Sequence, residues 1–512
     1  MDVVTASGTV AGPVWSFRTD NRARYEVSDT VLDNNFANPP NEFRPVKYQL
    51  TNGALNSYPD YGFGGYHAFF FDNIYGNSWL APNPAKIGTL LDAVEAQGSI
   101  AWTGDDDGYP SGGAGGKVVT NNPEYEVRGV TMLSTTGSGE VPVSINTPAD
   151  CEKMVTAVIY PVSGGVPDYT QGQVRPVLDA GVDTTGLVGS WKLCAFVLQI
   201  RDSNTQAQTT ITNFGTTGHY PDLLNSDAIA SWIGLVHEPA LAEIHGDPAS
   251  QLEGFYFNEP SLMQLNWNSS GYACLSWNDG LFAKFQLMHG YELEPLMAAL
   301  YERDELYAKR VRMHFHQTIA EMLRTSFTKQ VADWCGERGL AQSGHPLIEE
   351  SLNIQVANFG DMMKVFAEVQ VPAVDLVMPD PNEMASENYH FPKQMSSMGS
   401  WNEYDRRVIG LLDPTIGGHA SRHTPSEDVI HNIVNHSAAS GVNTFTTYID
   451  AKHANYGGTE GVWSRVNAYA GRLSSMLTGA RVETTVALYY PIQMFQMEYK
   501  PSTGTHSRNR QY

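Results

Sequence analysis

The stretch LEGFYFNEPSL, residues 252–262, runs from apolar residues straight into Asn258, Glu259 and Pro260. It reads as a buried strand that stops abruptly. Pro260 has no backbone N–H and ends the ladder, Glu259 is left at the strand end, and the amide of Asn258 can hydrogen-bond a hydroxyl. A plain polar turn would carry the same three residues, so their meaning depends on the other strand ends of the chain.

Working outward, short apolar runs alternate with helical stretches from about residue 44, which is the pattern of βα units. RPVKYQL (44–50), GGYHAFFF (64–71) and SIAW (99–102) read as the first three strands, with a helix in PAKIGTLLDAVEAQG (84–98). LEGFYF is the fourth. LAQSG (340–344), AVDLVMP (373–379), RRVIGLL (406–412) and VNTFTTYI (442–449) follow, each after a helical stretch. Eight such units predict a (β/α)8 TIM barrel. Residues 117–215 interrupt the rhythm with Val-, Thr- and Ile-rich runs between turns and read as an all-β insertion after strand three. The expected division is an extension over 1–43, barrel strands one to three over 44–116, the insertion, strands four to eight over 216–478, and the start of a C-terminal accessory domain or tail over 479–512.

In a barrel of this kind, reactive residues sit on the loops that leave the C-terminal ends of the strands. Strand two carries His67; strand three runs into Asp105, Asp106 and Asp107; strand four ends at Asn258 and Glu259. Strand five leads to His345, Glu349 and Glu350, and strand seven to Asp413 and His419. Two carboxyl groups suit glycoside hydrolysis, one to protonate the leaving oxygen and one to activate water or attack the anomeric carbon. A separation of about 5 Å indicates retention and about 6.5–9.5 Å inversion. Trp277, Trp267, Tyr109 and Tyr291 could stack on sugar faces or simply pack loops. Glu349 and Glu350 are adjacent, so one of them at most enters the pocket. The three aspartates fit a substrate contact, a solvated turn or a calcium site. His314 and His316, two apart on a helix, face different ways and are poor joint ligands. The SGGAGG run (111–116) lacks a following Lys-Ser/Thr and is read as letting backbone approach a sugar closely.

Bulk properties narrow the partners. With 42% hydrophobic and 17% charged residues, the 512-residue chain can fill a large core. A formal charge of −23 with only 32 basic residues argues against nucleic acid and anionic membranes. No run of 18 apolar residues spans a bilayer. Cys151, Cys194, Cys274 and Cys335 have no CxxC spacing; the first two could be bridged after export or remain thiols.

WTGDDDGYPSGGAGG (102–116) is similar to the acidic Gly/Pro-Ser-Gly loop of bacterial glycoside hydrolases related to family 106, the α-L-rhamnosidases. NPEYEVRGV, GFYFNEPSL, MHGYELEPLMAAL, the RVRMHFHQ…GHPLIEES segment, PAVDLVMP, PKQMSSMGS, GVNTFTTYI and RLSSMLTGARVETTVALYYPI resemble further blocks in the same order, over about residues 44–490. The resemblance implies a hydrolase that removes a terminal sugar from an oligo- or polysaccharide, secreted or periplasmic, calcium-assisted and inverting. Glu259 would be the general acid, with His345 and Glu349 around the reacting sugar. Two positions depart from the pattern. Leu411 stands where the family has a strand-seven glutamate, leaving Asp413, or else Glu349 or Glu350, as the second carboxylate; Asp106 or Asp107 replaces a glutamate in the strand-three loop. A carbohydrate-binding protein or adhesin on the same barrel is the alternative that the missing glutamate raises.

Overall fold

The computed structural model describes residues 3–5, 8–10, 29–50, 61–68, 84–104, 110–178, 181–202, 205–207, 219–245, 247–266, 272–376, 390–401, 407–412, 426–447, 460–480 and 486–502. Eight parallel strands close into a barrel: β1 (Val46–Leu50), β2 (Gly65–Ala68), β3 (Ile100–Gly104), β4 (Gly254–Asn258), β5 (Ala341–His345), β6 (Val371–Leu376), β7 (Ile409–Leu412) and β8 (Thr444–Thr447). Closure comes from β8 pairing with β1, Thr446 against Val46. Each strand matches one of the apolar runs read from the sequence.

Side chains alternate across these strands, so each strand feeds two cores. Val46, Tyr48, Trp102, Tyr256, Ala341, Val371, Ala373, Ile409 and Leu411 fill the barrel interior. The intervening Phe255, Phe257, Val374, Leu412 and Phe445 face the helices. The helix Ser226–Ala242 shows how the outer layer is built. Asn225 caps it by accepting from the Asp227 N–H at 2.9 Å, and Ile229, Trp232, Ile233, Val236 and Ala240 form its buried stripe.

The helical segment before β5 is continuous but not uniform. Leu306–Leu323 passes through a π-helical turn, Arg324–Thr328, into Lys329–Gly336. Thr325, Ser326 and Thr328 supply the cause, since each hydroxyl donates to a carbonyl four residues back.

Between β3 and β4 lies an antiparallel sheet of Arg128–Ser138, Ser190–Ile200 and Cys151–Ser163, with Val166–Pro167 beyond. Its other edge is Cys274–Trp277, a strand that arrives only after β4 and pairs with Arg128–Thr131. The sheet is thereby fastened to the barrel on both sides of β4. Tyr160 and Tyr301 add to this, donating to the carbonyls of Pro295 and Val130.

Cys151, Cys194, Cys274 and Cys335 form no disulfide, so Cys151 and Cys194 are not bridged. Near the end of the chain, residues 486–490 carry no strand, and Ile492–Glu498 forms a helix against Leu306–Leu323. Arg312, buried, donates to the Met497 carbonyl, and Gln496 to that of Gly360.

Candidate active site

Glu259 leaves β4 with φ +48°, a left-handed conformation that costs a non-glycine residue about 1–3 kcal/mol and persists only where the surroundings enforce it. The enforcement is visible on both sides. The Asn258 N–H donates to Ser111 Oγ at 2.8 Å and its carbonyl accepts from Ser111 N–H at 2.9 Å, while the Glu259 N–H donates to the His345 carbonyl at 3.1 Å. The chain therefore turns sharply at Glu259, and the carboxylate accepts from Gln206 Nε2 at 3.1 Å.

The neighbouring strand is brought close by a glycine. At Gly344 φ is +142°, and a Cβ there would lie 2.3 Å from the Phe257 ring, so no other residue fits without displacing β4. His345 follows, fully buried, sharing a 2.9 Å hydrogen bond between its Nδ1 and the Tyr256 hydroxyl. Burial lowers its pKa to about 3, so the ring is neutral. Four residues on, Glu349 is 2% exposed and accepts from the Asp375 N–H at 2.8 Å. Burial first, then the charge of Glu350, raises its pKa well above the usual range. Burial thus favours the uncharged form of Glu349.

Asp375 lies near the end of β6. One ligand atom each from Glu259, His345 and Asp375 lie within 4.8 Å of one another. Tyr256 stands beneath them; burial, then Tyr48 and the charges of Asp375, Glu349 and Glu259, hold its phenol well above the ordinary range. Three carboxyl groups and an imidazole thus meet at the C-terminal ends of β4, β5 and β6.

The other candidates are distributed as follows. Asn258 is at the mouth, 8% exposed. His67 lies inside the barrel among Tyr48, Trp102 and Tyr256, and burial, with Lys47, lowers its pKa to about 3. Glu350 lines a cavity of ≈400 Å³ with Asn353, His390, Gln394, Tyr489 and Phe495. Asp105, Asp106, Asp107, Tyr109, Trp267, Asp413 and His419 lie outside the described residues. Trp277 is a core side chain of the antiparallel sheet, 4% exposed, donating its indole N–H to Asp279 and packed edge-on against Phe282. Tyr291 shares its hydroxyl with His314 Nδ1. The glycine run is also a packing device: Gly112 and Gly113 abut Tyr220, whose hydroxyl donates to the Ser111 carbonyl.

Leu411, 0% exposed, faces into the barrel and is directly across from Asp375 in the β6–β7 register. Asp375 and Gln206 are site residues that the sequence reading does not single out. Val371, Ala373 and Asp375 share one face of β6, so a carboxylate ending an apolar alternation is the available signal for Asp375. Gln206 reaches Glu259 from a segment distant in sequence, and no local pattern marks it.

Metal binding at the mouth would use Glu259, His345 and Asp375. Calcium takes six to eight oxygen ligands, and an imidazole nitrogen as one of three donors does not fit it. A second group, Glu126, Asp202 and His219, lies just outside the end of the sheet where Arg128 pairs with Ile200. There burial, then the hydrogen bond with Glu126, raises Asp202 to about 7, and His219 Nδ1 contacts both carboxylates.

A (β/α)8 barrel with carboxylates converging at the C-terminal strand ends defines the class of architecture. No family model matches the sequence, and no curated protein does. Among solved structures, the rhamnosidase from Novosphingobium sp. PP1Y superposes with a TM-score of 0.56 at 12% identity, over 88% of this chain and 61% of that one. The chain therefore spans about three fifths of that protein's length. The glycoside hydrolase domain of PgaB (BpsB) from Bordetella bronchiseptica gives a TM-score of 0.29 at 14% identity, over 48% of this chain and 63% of that domain. At these identities the likeness to the rhamnosidase establishes a shared fold.

Proposed function

We propose that this protein is a glycoside hydrolase that removes a terminal sugar from an oligo- or polysaccharide in the manner of an α-L-rhamnosidase, working outside the cytoplasm. The observation that carries the reading is the meeting of Glu259 and Asp375 at the barrel mouth, two carboxylates with an oxygen of each within 4.8 Å of the other. In this reading Glu259, held by Gln206 and by a strained backbone, gives its proton to the leaving oxygen. Neutral His345, and Glu349 whose burial favours the uncharged form, supply hydrogen-bonding groups beside the sugar ring. Asn258, at the end of β4, binds a sugar hydroxyl in this reading.

The test is release of p-nitrophenol from a panel of p-nitrophenyl glycosides that includes α-L-rhamnopyranoside, for wild type and Glu259→Gln. Hydrolysis by wild type that the variant loses by about 10²–10⁴-fold supports the acid role. Leu411, in place of a strand-seven carboxylate, favours a second reading as a carbohydrate-binding protein. Binding of sugar by both proteins with release by neither supports that one instead.

A further inference from the structure

Resting on the hydrolase reading, we infer that Asp202 and His219 are positioning residues for the proposed acid, acting on Glu259 through the amide of Gln206. Glu259 leaves β4, whereas Gln206 lies just past Ser190–Ile200, the middle strand of the antiparallel sheet. Gln206 is 2% exposed and engaged at both ends of its amide: Nε2 donates to the Glu259 carboxylate at 3.1 Å, and Oε1 accepts from Ser261 Oγ at 3.4 Å. Its aim is set by its own backbone, and that backbone is tied at three points. The Thr205 hydroxyl lies against the carbonyls of Arg201 and Asp202, at 2.8 and 2.9 Å. The buried Arg201 guanidinium donates to the carbonyls of Met263 and Gln264 and to Asn266 Oδ1. The buried Asp202 carboxylate contacts His219 Nδ1 at 3.2 Å, and the same nitrogen contacts Glu126.

The third tie decides where the turn sits. Glu126 and Asp202 are two buried carboxyl groups, and like charges held together out of water repel. Arg128, two residues from Glu126, spends its guanidinium on the Glu152 carboxylate and on the carbonyls of Glu124 and Glu126. The imidazole of His219 is the bridge between the pair. Without it, Asp202 is pushed away from Glu126, and Gln206 is four residues further along the chain. A catalytic group misplaced by about 1 Å can lose about 100-fold in rate, so a small shift of this turn is felt at the acid. Asp202 and His219 therefore act on Glu259 at one remove, by setting where the Gln206 amide points.

The experiment is a double-mutant cycle read in kcat on the p-nitrophenyl glycoside that wild type cleaves. Asp202→Ala and His219→Ala are each expected to lower kcat by about 3–10-fold with KM unchanged. In a Gln206→Leu background the same substitutions are expected to change kcat by less than about twofold, because the group through which they act is gone. The His219 side chain is 45% exposed, so His219→Ala keeps the packed core and completes the cycle by itself if Asp202→Ala does not fold. A general loosening of the fold would lower kcat equally in both backgrounds; losses that multiply in this way overturn the inference and leave the hydrolase reading standing. Wild-type kcat in His219→Ala, or in Gln206→Leu, does the same. No release by wild type from any glycoside of the panel overturns both.

Discussion

Replacing Glu349 by Gln tests whether the site holds a neutral carboxylic acid. The amide is isosteric, and its oxygen can still accept from the Asp375 N–H, so the packing of a side chain only 2% exposed is preserved. What changes is titration. In the folded protein, burial and then Glu350 raise the pKa of Glu349 well above its ordinary 4.5. Between the unfolded and folded pKa values the folded state holds a proton that the unfolded chain releases. Stability from this group is complete below pH 4.5 and declines as pH rises toward the folded pKa, by about 1.4 kcal/mol per pH unit. The Glu349→Gln protein has no such slope at this position. Urea unfolding of both proteins at pH 4, 5, 6 and 7 should show the variant gaining on wild type as pH rises above 4.5, by at most about 1.4 kcal/mol per unit, until the folded pKa of Glu349 is passed. A constant offset across the series would mean that Glu349 is ionised in the folded protein, and its place in the site as an uncharged donor would be lost.

Three further outcomes follow from the same geometry. Gln206→Leu removes the donor to Glu259 and should lower kcat on an aryl glycoside by about 10–100-fold with little change in KM, the loss of one charge-assisted hydrogen bond of about 1.5–3 kcal/mol; equal kcat would show that Gln206 does not hold the acid. Gly344→Ala should lose at least about 2 kcal/mol in urea unfolding, because φ is +142° and the new Cβ would meet Phe257 at 2.3 Å. Trp277→Phe should cost about 1–3 kcal/mol of stability through its buried ring and its bond to Asp279, while leaving KM unchanged; a raised KM would return Trp277 to the sugar site.

The barrel is legible in the sequence because a parallel strand covered on both faces must be apolar at nearly every position, and such runs stand out between helical periods. GFYFN and AVDL are of this kind. Pairing across long separations leaves a weaker trace. CLSW has only four residues, and nothing within it says that it will join Arg128–Thr131 rather than lead directly into a helix. The role of Trp277 is hidden for the same reason, since an aromatic residue after a barrel strand looks like a rim residue until the sheet that buries it is known. Likewise the glycines after Ser111 suggest close approach, and the sequence does not say that the approaching group is Tyr220.

The strand-seven position where the resemblance to the α-L-rhamnosidases places a glutamate shows where one-dimensional reasoning is constrained. With Leu411 in the expected place, the search along the chain moves by two residues, to Asp413, because alternation keeps that side chain on the same face; the move is about 6.6 Å up the strand. In a sheet the nearer alternative is sideways. Adjacent strands lie about 4.8 Å apart, so a carboxylate on β6 at the residue paired with Leu411 is displaced less than one at Asp413. Asp375 is that residue, and the sideways move also takes the charge one strand closer to β4, since β5 alone separates β6 from β4. Shifting a carboxylate around the barrel thus shortens its distance to Glu259, which is the quantity that sets the stereochemistry of glycoside cleavage. In the proposed hydrolase, Leu411 on β7 with Asp375 on β6 brings a second carboxylate nearer to Glu259 without altering a single strand.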